Sequence, residues 1–327
     1  MKIVVDAFGG DNAPLEIIKG AALAEKELGV DIILTGDTEI INKCIRDNGI
    51  VFKNLEVVHT TDVISMHDEP TSLLKAHKDC SMAEAFRILA DGKADAFVSA
   101  GSTGAVVVGG TLIVKRIKGI KRPALGSMIP SPDSSYFLMD MGANAECRPE
   151  MLEQFGVMAS VYLQKVEGRE NPKIALLNIG TEDSKGGELQ KEAYKLLSEA
   201  PINFVGNVES REMPKGVVDG VITDGYTGNI ALKLIEGTTI TLFKMLKKVF
   251  YRNVATKLAT LVLKNGIMGL KQKMDASEVG GAPLLGVAKP VIKAHGSSDA
   301  LAIKNAIRQA KTFVEKDVIG TISSNIN

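Results

Sequence analysis

Apolar residues fall in two alternating rhythms along this chain. Short, nearly unbroken apolar runs predict strands at 3–7, 31–35, 55–59, 96–99, 136–140, 173–179, 203–206 and 220–223. Longer stretches, with apolar residues three and four apart, predict helices at 14–28, 72–90, 104–118, 148–166, 187–198, 229–249, 254–264 and 298–314. A strand covered on both faces shows no polar alternation, because neither face meets water. Such runs separated by helical stretches predict a parallel sheet flanked by helices, an α/β fold. The segment 122–135, with Pro123, Pro130 and Pro132, is the expected crossing between two lobes. No repeat or low-complexity tract interrupts the pattern, so a single domain over 1–327 is expected.

Composition narrows the class. A chain of 327 residues with 45% hydrophobic and 24% charged residues can bury a large core. Its 39 basic and 39 acidic residues balance, which argues against a nucleic-acid partner held by the overall field. Cys44, Cys80 and Cys147 are odd in number and scattered, so neither a disulfide framework nor a zinc site is expected, and a reducing cytoplasm is. Asp6 is an acid too early for a signal peptide. Residues 96–114 carry no charge over 19 positions, near spanning length, but Gly101, Gly104, Gly109 and Gly110 with Ser99, Ser102, Thr103 and Thr111 read as a buried strand, a turn and a helix start.

Glycines cluster where predicted strands end. Gly9-Gly10-Asp11-Asn12 follows the first strand, Gly101-Ser102-Thr103-Gly104 the fourth and Gly142-Ala143-Asn144 the fifth. Gly180 to Gly187 follows the sixth, and Asp224-Gly225-Tyr226-Thr227-Gly228-Asn229 the last. In an open α/β sheet, ligands bind at such carboxyl ends. Glycine lets backbone N–H groups approach an anion, a following helix adds its positive end, and Ser or Thr hydroxyls can donate to phosphate oxygens. Any one of these turns is better read as an ordinary tight connection; five together point to a phosphate-sized site. There is no GxxxxGK[ST], no GxGxxG after a strand and no GxSxG, so P-loop, dinucleotide and nucleophile-elbow sites are not expected.

These motifs carry a specific resemblance. Asp6 to Pro14, Val98 to Ala105, Lys121 to Leu125, Met141 to Asn144, Gly206 to Glu209, Asp224 to Asn229, Gly280 to Gly286 and Lys293 to Ala300 resemble, in order, the bacterial phosphate acyltransferases of phospholipid synthesis, the PlsX family. The resemblance implies transfer of a fatty acyl group from acyl carrier protein to inorganic phosphate, giving an acyl phosphate for glycerol-3-phosphate acyltransferase. It implies a three-layer, Rossmann-like α/β/α sandwich, similar to isocitrate and isopropylmalate dehydrogenases and to phosphotransacetylase, and a homodimer with its site in a cleft near the interface. No cofactor or metal is expected. Ser102 stands where Asn is usual in the family, and Ala145 to Arg148 replaces a Val-Asp-Cys-Lys run.

By the same resemblance Lys185 is the catalytic lysine, neutralising phosphate or the oxyanion, and Asn229 donates to phosphate or the carbonyl oxygen. Each has a plainer role open to it, a solvated loop lysine and a helix N-cap. The expected phosphate- and substrate-binding set is Gly9, Gly10, Asp11, Gly101, Ser102, Thr103, Gly104, Asn144, Asn207, Thr227, Gly228, His295, Ser297 and Ser298. Asp6 and Asp11 cannot ligate phosphate directly and are expected to orient donors. His59, His67 and His77 are expected to be structural.

Residues 237–274 hold eight basic residues and no acid. The bases are interleaved with apolar side chains, which suits an amphipathic element on an anionic membrane surface, and the resemblance implies that this basic helical element projects from the fold. Lys247, Lys248, Val249, Phe250, Leu258, Leu261 and Val262 are the expected contacts, on the inner face of the cell membrane. The same bases would suit an acidic carrier protein, or be solvated residues of a packed helix pair. Two other functions stay open: a decarboxylating dehydrogenase of the same fold, which would need an aspartate metal set not found here, and a non-enzymatic carrier- or membrane-binding scaffold.

Overall fold

A computed structural model describes residues 1–273 and 280–326. Strands β1 (Lys2–Asp6), β2 (Asp31–Gly36), β3 (Leu55–His59), β4 (Ala96–Ser99), β5 (Ala124–Pro130), β6 (Ser135–Met139), β7 (Ile174–Asn178), β8 (Phe204–Glu209), β9 (Gly220–Ile222), β10 (Ala282–Leu285) and β11 (Val291–Lys293) form one sheet. Its order is β3-β2-β1-β4-β11-β10-β5-β6-β9-β7-β8.

Helices cover both faces. On one side α1 (Leu15–Leu28), α5 (Pro149–Lys165), α6 (Glu188–Glu199), α9 (Ala300–Glu315) and α10 (Val318–Asn325) pack Ile17, Phe155, Leu197, Ile303 and Ile322 into one core with Val5, Val98 and Ile292 of the sheet. α2 (Thr38–Asp47) adds Ile41 to that core. On the other side α3 (Ser81–Ala90) and α4 (Thr103–Gly109) bury Phe86 and Val106 against Val4, Phe97 and Val291. Leu232 and Ile235 of α7 (Gly225–Phe250) cover a third cluster around Leu138 and Val221. The three-layer α/β/α sandwich is therefore present.

Strand direction divides the sheet into two blocks. β3, β2, β1, β4 and β11 run parallel. β10 is antiparallel to β11 and β5, and β5 is antiparallel to β6. β6, β9, β7 and β8 are again parallel to one another. Counting reversals from β11 to β6, the two parallel blocks point in opposite directions.

The segment expected to cross between lobes holds β5, an inner strand paired with β10 at Ala124 and Leu125 and with β6 from Gly126 to Pro130. Its flanking prolines, Pro123 and Pro130, hid it in the sequence, because proline inside a strand removes a ladder donor. The helix expected over 72–90 begins only at Ser81, where the Cys80 sulfur accepts from the Ala83 N–H. The expected helix at 104–118 is α4 followed by a π-helical turn, Gly110–Val114.

α7 and α8 (Val254–Lys273) form a helical pair that the rest of the chain hardly covers. Within α7 only Gly225 and Gly228 are buried. No helix is long and apolar enough to cross a membrane, among the described residues.

Candidate active site

A row of polar side chains crosses three adjacent strands. Parallel register sets Val5 beside Val98 and Ser99 beside Lys293, so Asp6, Ser99 and Lys293 end β1, β4 and β11 at one level and on one face. Side chains alternate along a strand, and the residues two positions earlier, Val4, Phe97 and Val291, lie in the core under α3 and α4. The row is thus the polar rim of that core.

Asp6 is fully buried. It accepts the hydroxyls of Ser81 and Ser99 at 2.7 Å each, and the Phe8 N–H at 3.3 Å. Ser99 Oγ in turn accepts the Gly101 N–H at 2.9 Å. Burial holds the Asp6 carboxyl above the usual carboxylate range, although these donors pull it down. Asp6 thus holds Ser99, which in turn holds the turn after β4. Lys293 lies on the other side of Ser99. Its ammonium donates to the carbonyls of Ala100, at 3.3 Å, and Ala294. Burial pushes it down to about 8, against the pull of Asp11 and Asp6 and with a small push from Lys233 of α7. Sequence reasoning placed Lys293 in a motif and gave it no role, because β11 is too short to show a period.

Three turns meet above this row. A Cβ on Gly9 would stand 2.7 Å from the Gly101 nitrogen and 2.5 Å from an Asp6 oxygen, so only glycine fits. Gly10 takes φ +103° and lies against Ala100 and the Gly296 carbonyl. The Asp11 N–H donates to Gly296 O at 2.8 Å, and Asn12 Nδ2 to the Ser297 and Ser298 carbonyls at 3.0 and 3.2 Å. His295 and Ser297 are exposed and bond each other, Nδ1 to Oγ, at 2.9 Å. Ser298 is buried, and its hydroxyl has no partner among the described residues.

Beside them α4 begins at Ser102 without a side-chain cap, leaving the N–H groups of Thr103, Gly104 and Ala105 outside the helical ladder. Pro70 closes over Gly104, and Met66 lies beside Gly296. His77, expected to be structural, bridges Asp62 at 3.0 Å and Asp68 at 3.6 Å at the base of that covering loop. Gly9, Gly10, Asp11, Gly101, Ser102, Thr103, Gly104, His295, Ser297 and Ser298 are thus brought into one group.

The other predicted residues are not part of it. Because the parallel blocks oppose each other, the turns after β6, β7 and β9 open at the opposite end of the sheet; the five turns do not share one end. There Asp140 is fully buried and accepts the N–H groups of Leu125, Gly142, Ala143 and Asn144 at 2.8 to 3.2 Å. Burial again raises its carboxyl above the usual range.

Several expected ligands are engaged within this second group. Asn144 Nδ2 donates to Asp140 and to the Pro123 carbonyl, both at 2.8 Å. Thr227 bonds Asp224 through N and Oγ1, each at 2.8 Å, which makes Asp224 and not Asn229 the cap of α7. Gly228 is buried, and a Cβ there would stand 1.8 Å from Asp140 O, so it is a packing glycine. Asn229 is exposed beside Gly142, one turn before Lys233, whose charge reaches Lys293. Lys185 is exposed in the loop after β7, anchored by Asn178 Nδ2 on its carbonyl at 3.1 Å, while Asn207 Nδ2 holds the Glu182 carbonyl at 2.8 Å.

At the helical pair, Lys247, Lys248 and Val249 are exposed, Phe250 is half-buried, and Val262 is 86% exposed. The side chains of Leu258 and Leu261 lie outside the described ones. No group of three His, Cys, Asp or Glu placed to hold a metal occurs among the described residues.

Comparison with known proteins agrees with this architecture. The signature of the family described as fatty acid synthesis protein matches residues 1–321. A phosphate acyltransferase of Oceanobacillus iheyensis is 48% identical over all of this chain and 97% of its own length. One from Bacillus cereus is 49% identical over 99% of this chain and 98% of its own. Among solved structures, a phosphotransacetylase from Streptococcus pyogenes superposes with a TM-score of 0.64 at 19% identity, covering 98% of this chain and 94% of that one. A branched-chain phosphotransacylase from Enterococcus faecalis V583 gives 0.58 at 17% identity, with 96% and 99% covered. These last two share the fold. The chain belongs to the fatty acid synthesis protein family, that of the phosphate acyltransferases, and is an acyltransferase.

Proposed function

We propose that the chain transfers a fatty acyl group from acyl carrier protein to inorganic phosphate, giving acyl phosphate for phospholipid synthesis. The observation that carries the reading is the meeting of three turns over the Asp6–Ser99–Lys293 row. It supplies uncapped helix-start N–H groups, a buried hydroxyl at Ser298 without a partner among the described residues and a buried ammonium, all in or beneath these turns. Such a set suits an anion with several acceptor oxygens.

The reaction then needs little covalent help from the protein. A phosphate oxygen attacks the thioester carbonyl carbon, the C–S bond breaks, and the carrier's thiolate leaves and takes a proton. Phosphate near neutral pH is already a nucleophile, so positioning supplies much of the acceleration. Asn229 is assigned to the carbonyl oxygen, where a donor aimed at the developing oxyanion lowers the barrier. Lys185 is assigned to neutralising charge in the reaction on the resemblance alone, since the loop after β7 opens at the opposite end of the sheet from the Asp6–Ser99–Lys293 row.

The exposed, basic and apolar α7–α8 pair is assigned to the inner membrane surface, close to where glycerol-3-phosphate acyltransferase would take the product. Its bases also suit an acidic carrier protein, and the uncovered face of α7 is the surface offered to a second copy in a homodimer. The test is incubation with a long-chain acyl carrier protein, with and without phosphate; thiol release that ignores phosphate would contradict the proposal.

A further inference from the structure

We propose that Lys293 is the cationic positioning residue of the phosphate site: from beneath, it ties the Ala100 turn to the Ala294 turn and sets a positive charge under the anion. The inference deepens the phosphate-transfer reading and rests on it. Its geometry is independent of any motif.

The side chain rises from the last residue of β11, in register with Ser99, on the face where α4 starts. It is 7% exposed, yet no carboxylate among the described residues bonds it; its ammonium rests on two backbone carbonyls, Ala100 O and Ala294 O. An ammonium has three donors, so one remains for another acceptor. Burying a cation on neutral carbonyls alone is costly, and an incoming anion would offset that cost. The unpartnered, buried Ser298 hydroxyl, five residues further along the same loop, is a second sign of an absent acceptor.

The charged groups facing Lys293 come from three places: Asp6 on β1, Asp11 in the turn after it, and Lys233 on α7. The two acids favour the protonated amine, and burial and Lys233 oppose it; the balance leaves it titrating at about 8. Below that value the amine is charged and meets phosphate as a cation. Above it the free enzyme carries a neutral amine, so phosphate must bring the proton back and binds more weakly. Phosphate is already a dianion on the alkaline side of this range, so the fall belongs to the enzyme.

The experiment measures phosphate binding by calorimetry, and KM for phosphate separately from kcat, from pH 7 to 10 in the wild type, Lys293→Met and Lys293→Arg. Thermal melts verify that each variant folds. Lys293→Met should lose about tenfold or more in phosphate affinity at pH 7, the scale of one hydrogen bond to a charged group. In the wild type affinity should fall above pH 8, and Lys293→Arg, charged throughout, should lose that fall while keeping part of the affinity. Wild-type affinity and pH dependence in Lys293→Met would overturn the role of Lys293 and leave the acyltransfer reading standing. No phosphate binding by the wild type would overturn both.

Discussion

The Ser99 hydroxyl donates to the buried Asp6 carboxylate at 2.7 Å while its oxygen accepts the Gly101 N–H at 2.9 Å. One hydroxyl thus joins a buried carboxyl group to the turn that opens the site. Ser99→Ala removes a donor from a buried carboxylate and leaves the Gly101 N–H without its acceptor. Urea unfolding should show a loss of about 1–3 kcal/mol, and KM for phosphate should rise in parallel. A variant with unchanged stability would contradict the link.

Gly228 seats the start of α7 on the carbonyl of Asp140. A methyl group there would stand 1.8 Å from that oxygen. Backbone cannot swing aside as a side chain can, so Gly228→Ala should cost about 3 kcal/mol or more. Gly237→Ala, in the open middle of the same helix, has nothing within 4 Å to meet and should be neutral or stabilising. Denaturation midpoints of the pair decide this, and equal midpoints would contradict it.

The sheet and its helices were largely legible, because strands buried on both faces leave unbroken apolar runs such as Ile3–Val5 and Ile174–Leu177. The strands missed are those that break the rule. β5 is bounded by prolines, and β10 and β11 are short and follow a glycine-rich stretch. With them went the reversal of direction between the two halves of the sheet, and so the division of the five turns between two ends. The glycine motifs were visible, but not which glycines serve packing: Gly228 and a ligand-cradling Gly10 look alike without their neighbours. Lys293 was hidden for the same reason as β11.

Lys185 is exposed and its ammonium makes no bond among the described residues. Lys185→Ala should therefore keep the wild-type melting temperature. If Lys185 neutralises charge in the reaction, kcat should fall by about 10²–10³, the scale of losing one preorganised donor. Asn229→Ala should behave likewise. Wild-type turnover in Lys185→Ala would remove it from the site.

Lys247 and Lys248 end α7 on its exposed side, beside the exposed Val249. Each base near anionic lipid contributes roughly 1 kcal/mol. Replacing both by Glu should weaken sedimentation with phosphatidylserine-containing vesicles by at least about tenfold and leave neutral vesicles unaffected. Unchanged sedimentation would place the contact elsewhere.

Phosphate held over the Asp6–Ser99–Lys293 row is the proposed nucleophile, and the reading of the reaction depends on it. Phosphorus NMR of the purified chain with palmitoyl acyl carrier protein and phosphate, with free thiol titrated in the same sample, follows that nucleophile into its product. An acyl phosphate signal should grow mole for mole with thiol and be absent when phosphate is omitted. Thiol appearing without an acyl phosphate, or at the same rate in phosphate-free buffer, would contradict it.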